Sequence, residues 1–260
     1  NTRNYTEQRI SQRIEYVFDN TLSTGINLLN GTRYKAYTEA IKGLQIQFED
    51  PLAFNLKNGF MGIIGLDFRH YEPILKKSVI AVRFAGEISF GTEKMLNILG
   101  GVDNWLVPSF NPNIPLPTGD NIAYQAIVPG LRGFTYNIRN GSSYGLMSAE
   151  LRIPVFRYFS EKIRSSIIRN FQVVGFFDAG MAWDGFSPFS KDSPINTIYL
   201  ENPPTVKVKV NYYRDPLVAG VGFGVRTSLL GYFIRADYGY GIESRIIGKP
   251  VLYLAFGTDF

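Results

Sequence analysis

The sequence predicts an all-β chain built as an antiparallel transmembrane β-barrel, and three observations predict it. Apolar residues recur with period two along most of the chain, the pattern of strands with one greasy face. The opposite face of those segments carries charged residues together with glycines. Aromatic residues make up 15% of the chain, and Tyr, Phe and Trp gather at segment ends, as girdles at two membrane interfaces would.

The segment from Leu217 to Arg226 sets Leu217, Ala219, Val221, Phe223 and Val225 against Val218, Gly220, Gly222, Gly224 and Arg226. After a tight turn at Leu230 and Gly231, the next segment sets Tyr232, Ile234, Ala236, Tyr238 and Tyr240 against Phe233, Arg235, Asp237 and Gly239. Earlier, Ile80, Val82, Phe84, Ile88 and Phe90 oppose Arg83, Ala85, Glu87 and Ser89. Arg33, Lys35, Tyr37 and Glu39 alternate with Tyr34, Ala36, Thr38 and Ala40, while Asp67 and Arg69 alternate with Ile64, Leu66 and Phe68. About nine such segments occur, each near the ten residues with which a tilted strand crosses a bilayer. A soluble β-sandwich also alternates. It does not account for glycines on the charged face combined with aromatics at the segment ends.

Two long stretches interrupt the series, one at about 92–142 and one at about 184–214. The first holds Pro108, Pro112, Pro115, Pro117 and Pro129, and the second holds Pro188, Pro194, Pro203 and Pro204, so both are expected as loops without a strand ladder. Short turns elsewhere complete the asymmetry of an outer-membrane barrel.

Charged residues are 19% of the chain and the net charge is +5, with Lys and Arg scattered, which argues against a nucleic-acid partner. Cys is absent, so disulfides and thiolate metal sites are excluded. No run of about 18 apolar residues suggests a membrane helix. Asn1 to Glu7 lacks the layout of a signal peptide, and a start in mid-protein or a removed leader is expected. His70, the single histidine, is expected at an interface and not in a catalytic set. No enzyme, metal or cofactor pattern is present.

Three motifs remain. Leu131-Arg132-Gly133-Phe134 lies in the first long stretch, Glu150-Leu151-Arg152-Ile153-Pro154 follows it, and Phe176-Phe177-Asp178-Ala179-Gly180 comes next. By alternation Glu150, Arg152, Phe176 and Asp178 point inward. A folded-back loop would then set the Arg132 guanidinium against Asp178 and Glu150, with Phe176 packed nearby. The chain closes on Leu252, Leu254, Phe256, Thr258 and Phe260, expected on one outward face.

These pieces, in this order, resemble the BamA/TamA family of outer-membrane assembly and translocation barrels in the bacterial surface antigen superfamily. The (Val/Ile)-Arg-Gly-(Phe/Tyr) motif of that family's inward-folded loop matches at 131–134, with Leu131 a conservative departure. Its Glu-x-Arg-x-Pro strand matches at 150–154, and its Phe-x-Asp-x-Gly strand at 176–180. Tyr16 to Asn20 and Gly31-Thr32-Arg33 are similar to its upstream hairpin. The closing residues look like the signal by which outer-membrane proteins are recognised for insertion, carried by Leu252, Leu254, Phe256 and Phe260.

The resemblance implies that 1–260 is the carboxy-terminal part of a barrel of about 16 strands, with periplasmic domains upstream. It implies a non-enzymatic protein of the Gram-negative outer membrane, partnered by membrane lipid, client outer-membrane or secreted polypeptides and accessory lipoproteins. Two rivals are a passive pore and an anchor barrel for an upstream lipase-like domain. If a lateral gate exists, Gly241, Gly248 and Gly257 mark the last strand as its moving edge.

Overall fold

The computed structural model describes residues 8–47, 53–117, 121–160, 162–185, 187–189, 197–202, 206–211 and 215–260; at 44–47, 53–58, 197–202 and 206–211 only the backbone is described. The chain is all-β. In order come β1 (Gln8–Asp19), β2 (Leu22–Gly25), β3 (Leu28–Gln47), β4 (Ala53–Ile74), β5 (Ser78–Gly91), β6 (Lys94–Leu99), β7 (Ile122–Val128), β8 (Arg139–Gly141) and β9 (Ser143–Ile153). A 3-10 turn (Val155–Tyr158) and a one-turn helix, α1 (Ser166–Arg169), lead to β10 (Gln172–Trp183). Then follow β11 (Thr197–Asn202), β12 (Val206–Asn211), β13 (Val218–Leu229), β14 (Tyr232–Glu243), β15 (Ile246–Ile247) and β16 (Val251–Phe256).

Eleven strands form one antiparallel sheet in the order β1-β3-β4-β5-β9-β10-β13-β14-β15, with β16 on β14 and β2 on β3. Most neighbours are joined by short connections that close at small entropic cost; β5–β9 and β10–β13 are instead paired across the two long stretches. The turns are tight. Leu75 and Lys76 (φ 46° and 66°), Leu230 and Gly231 (52° and 86°), and Ser244 and Arg245 (49° and 67°) hold positive φ at both central positions, which matches the strands' right-handed twist. Among the described residues β1 and β16 are not paired with each other.

The two faces of this sheet have inverted chemistry. Phe84, Val221, Phe223, Leu254 and Phe256 are all exposed, with Phe223 at 59%. Glu87, Glu150, Arg152, Asp178, Arg226, Arg235 and Asp237 are buried on the other side. Each expected set keeps to one face, because a period of two moves a strand's residues together. Register also lines up an aromatic row: Phe18 opposes Tyr34, Tyr34 opposes Phe68 and Phe68 opposes Phe84, with centroids 5.2, 6.5 and 6.4 Å apart. No helix among the described residues is long and apolar enough to cross a membrane.

The long stretch between β5 and β9 begins and ends as expected, but it is not free of strands. β6 pairs with β7 in parallel and with β8 antiparallel, forming a separate small sheet. The prolines did not forbid it because Pro108, Pro112, Pro115 and Pro117 fall between β6 and β7, and Pro129 just beyond β7. The second long stretch likewise contains the hairpin β11–β12. Pro194, Pro203 and Pro204 lie outside the described residues, as does Asn1 to Glu7. β3 and β4 run for 20 and 22 residues, well past the length that alternation marked.

The core lies between the sheet's charged face and the folded-back stretch. Leu99, Val128, Leu131 and Ile138 from the stretch pack on Ala85, Leu146, Ala182 and Val218 of the sheet.

Candidate functional site: the loop lock

Arg132 reaches the sheet through backbone and side chain together. Gly133 holds φ +93°, a conformation open to glycine. Leu131 N–H donates to the Gly101 carbonyl and Gly101 N–H to the Phe134 carbonyl, so the motif is tied into its own loop. The Arg132 Nε and Nη2 then donate to the two oxygens of Asp178 at 2.7 and 2.8 Å, a bidentate fork. Its Nη1 donates to Glu150 at 2.5 Å, its backbone N–H adds a bond to Asp178 at 3.1 Å, and its Cζ lies 3.8 Å from the Phe176 ring centre. Glu150 also accepts from Arg152 at 2.8 Å. Leu131, Arg132, Glu150, Phe176 and Asp178 are thus assembled at one place.

β10 explains the assembly. Glu150 of β9 opposes Phe176, and Asp178 opposes Gly220 of β13, so three successive strands present one carboxylate, one ring, one carboxylate and a gap. The gap is for the loop backbone. A Cβ on Gly220 would stand 1.7 Å from the Arg132 carbonyl oxygen, and one on Gly241 would stand 2.6 Å from the Gly133 carbonyl oxygen. The glycines of the charged face are therefore a seat for the loop. Gly220→Ala is expected to push the loop off the sheet while the sheet persists; proteolysis within 92–142 should accelerate at unchanged strand content by circular dichroism.

A second cluster adjoins the first. Asp259 accepts from Arg226 Nε and Nη2 at 2.8 and 3.0 Å and from Arg235 Nη1 at 3.2 Å. Arg226 also sits 2.8 Å from Asp237, and Arg235 Nη2 donates to Asp103 of the loop at 2.7 Å. Asn27, in the β2–β3 turn, donates to Asp259 at 2.8 Å and accepts from its backbone N–H at 3.0 Å. Arg152 closes the circuit by donating to the Asn27 carbonyl at 3.0 Å and the Phe260 carbonyl at 3.2 Å. Burial alone would raise the Asp259 pKa, but Arg226, Arg152 and Arg235 hold its carboxyl well below the usual range.

Asp259 was missing from the expected site: it is buried, but it lies beyond Gly257, where β16 has ended and alternation no longer says which way a residue faces. Phe260 requires a correction. Leu252, Leu254 and Phe256 are exposed as expected, but β16 stops at Phe256 and Gly257 turns the backbone at φ +97°. Phe260 therefore leaves the outward face and packs against Leu28, Tyr71, Val79 and Ala81, with Arg152 Cζ 5.2 Å from its ring centre. His70 Nδ1 shares a hydrogen bond with Thr32 at 2.8 Å.

The loop also covers the outer edge of β16. Leu106 N–H donates to the Leu254 carbonyl at 2.8 Å, and Trp105 lies 4.8 Å from Tyr253, whose hydroxyl donates to the Phe134 carbonyl. Among the described residues no group of three or more His, Asp or Glu is placed to hold a metal ion. The arrangement holds the described part of the stretch at about 92–142 against the charged face of the sheet. No protein-family model and no curated protein matches this chain.

Proposed function

We propose that this chain is the carboxy-terminal part of an outer-membrane β-barrel that inserts other barrel proteins into that membrane or moves polypeptides across it. The observation that carries the reading is the inverted burial: apolar and aromatic side chains exposed on one face, ion pairs buried on the other. In water this is the wrong way round, since apolar area left exposed forfeits about 25 cal/mol per Å². Against hydrocarbon it is the stable arrangement. Among the described residues the outer edge of β1 is unpaired, and an open edge cannot face lipid, which calls for further strands to close the sheet.

The motifs of the assembly family support the functional half. Arg132, Asp178, Glu150 and Phe176 meet in one contact that keeps the loop inside, beside β16. The same contact speaks against a passive pore, whose lumen would have to stay open where Leu99, Leu131 and Ile138 are packed. The test is the full-length protein in vesicles with an unfolded barrel client. Client folding should accelerate at least about tenfold, roughly 1.4 kcal/mol off the barrier. Insertion of the protein with no acceleration would contradict an assembly role.

A further inference from the structure

The short-turn end of the sheet carries a second kind of site. A pocket of about 350 Å³ opens there, lined by Lys76 and Lys77 of the β4–β5 turn, Ser78, and Arg157, Ser160 and Arg169 of the β9–β10 connection. Lys76, Arg157 and Arg169 form no ion pair with any described residue, and Arg157 spends its guanidinium on the Thr24 carbonyl at 3.4 Å. The whole β9–β10 connection has four cations, Arg157, Lys162, Arg164 and Arg169, against one acid, Glu161. Cations concentrated in a cavity whose described lining holds no carboxylate set up a positive potential there.

Exposed greasy side chains are chain neighbours of the lining residues. Phe159 is 82% exposed and Leu75 72%, and Phe156, Ile167 and Ile168 are exposed beside them. Ile80 and Leu151, paired across β5 and β9, begin the exposed apolar face close below Ser78. A soluble partner would meet either the charge or the grease; an amphiphile with an anionic head meets both in the right order.

We propose that this pocket binds the phosphate-bearing headgroup of an anionic phospholipid, with Lys76, Arg157 and Arg169 on the phosphate, the Ser78 and Ser160 hydroxyls as further donors, and the acyl chains lying along Ile80 and Leu151. The inference rests on the membrane reading above. It adds a lipid preference that the inverted faces alone do not require, since they fit any hydrocarbon.

The full-length protein is inserted into vesicles of equal parts phosphatidylglycerol and phosphatidylcholine, extracted gently, and weighed intact by native mass spectrometry. Wild type should retain phosphatidylglycerol in preference. The Lys76→Gln, Arg169→Gln double variant should lose that preference about thirtyfold, the scale of two basic side chains at an anionic surface. Lys249→Gln, at the other end of the sheet, should keep it, and all three proteins should show equal strand content. Equal retention of both lipids by wild type, or a preference that survives the double substitution, would overturn the proposal. So would stabilisation of the detergent-solubilised protein by inorganic phosphate, dependent on Lys76 and Arg169, without any lipid preference; that result identifies a small-anion pocket. Failure to enter vesicles of either lipid would overturn the membrane reading and this inference together, whereas entry without preference overturns this inference alone.

Discussion

Arg132→Ala is expected to free the loop from the sheet and to abolish most of the assembly activity proposed above. Asp178 is 0% exposed, and Arg132 is its cationic partner among the described residues, so the substitution strands a buried carboxylate. Breaking a buried pair on one side typically costs about 3–5 kcal/mol. Arg132→Lys should recover only part of this, because one ammonium cannot reproduce a fork on Asp178 together with a bond to Glu150. Charge reversal separates direct pairing from general disruption. Arg132→Asp should be as defective as Arg132→Ala, and adding Asp178→Arg should restore part of the activity, limited by the Glu150 carboxylate left facing Asp at 132. Loop proteolysis and client-folding rate, read on the same preparations, should move together. A double variant no better than Arg132→Asp would count against the pair.

Asp259→Asn should lower the stability of the inserted protein by about 3 kcal/mol, the low end for a broken buried pair, because Arg226 keeps Asp237 and Arg235 keeps Asp103. The effect has a pH signature. The folded pKa of Asp259 lies below its unfolded value, so its contribution is present above the unfolded value of about 3.9 and is lost as pH falls through the folded one. Urea unfolding should therefore show a gap between wild type and variant that is full near neutrality and narrows progressively below about pH 4. A gap independent of pH would mean that the tail is held by Phe260 packing instead of by charge.

What the sequence discloses is governed by how local the cause is. Alternation is a property of neighbouring residues, and it correctly separated Phe223 from Arg226 and Leu254 from Tyr253. The Arg132–Asp178 contact was also within reach, since the inward direction of Asp178 is local and only the loop's return had to be supplied. Phe260 was misread because parity holds only while a strand lasts, and Gly257 ends β16 three residues before it. The Asn27–Asp259 bond joins residues 232 apart, and nothing in either neighbourhood announces the other. Glycines such as Gly220 and Gly239 were visible as a pattern, but their reason, a loop backbone against the sheet, required the tertiary contact; Gly241, expected in the last strand, lies in β14 and serves the same seat. The strands inside 92–142 were hidden by the opposite error, prolines near a strand being taken as prolines in it.

In the proposed membrane arrangement the exposed apolar face meets hydrocarbon while the loop lies on the sheltered side. Trp105, held between Tyr136 and Tyr253, is a reporter already in place on the loop, and Phe223→Trp places one on the apolar face. Each is made the sole tryptophan of the full-length protein, and fluorescence is read in vesicles containing brominated lipid. Strong quenching at position 223 with little at Trp105 is the predicted result; equal quenching at both, or none at 223, would contradict the account.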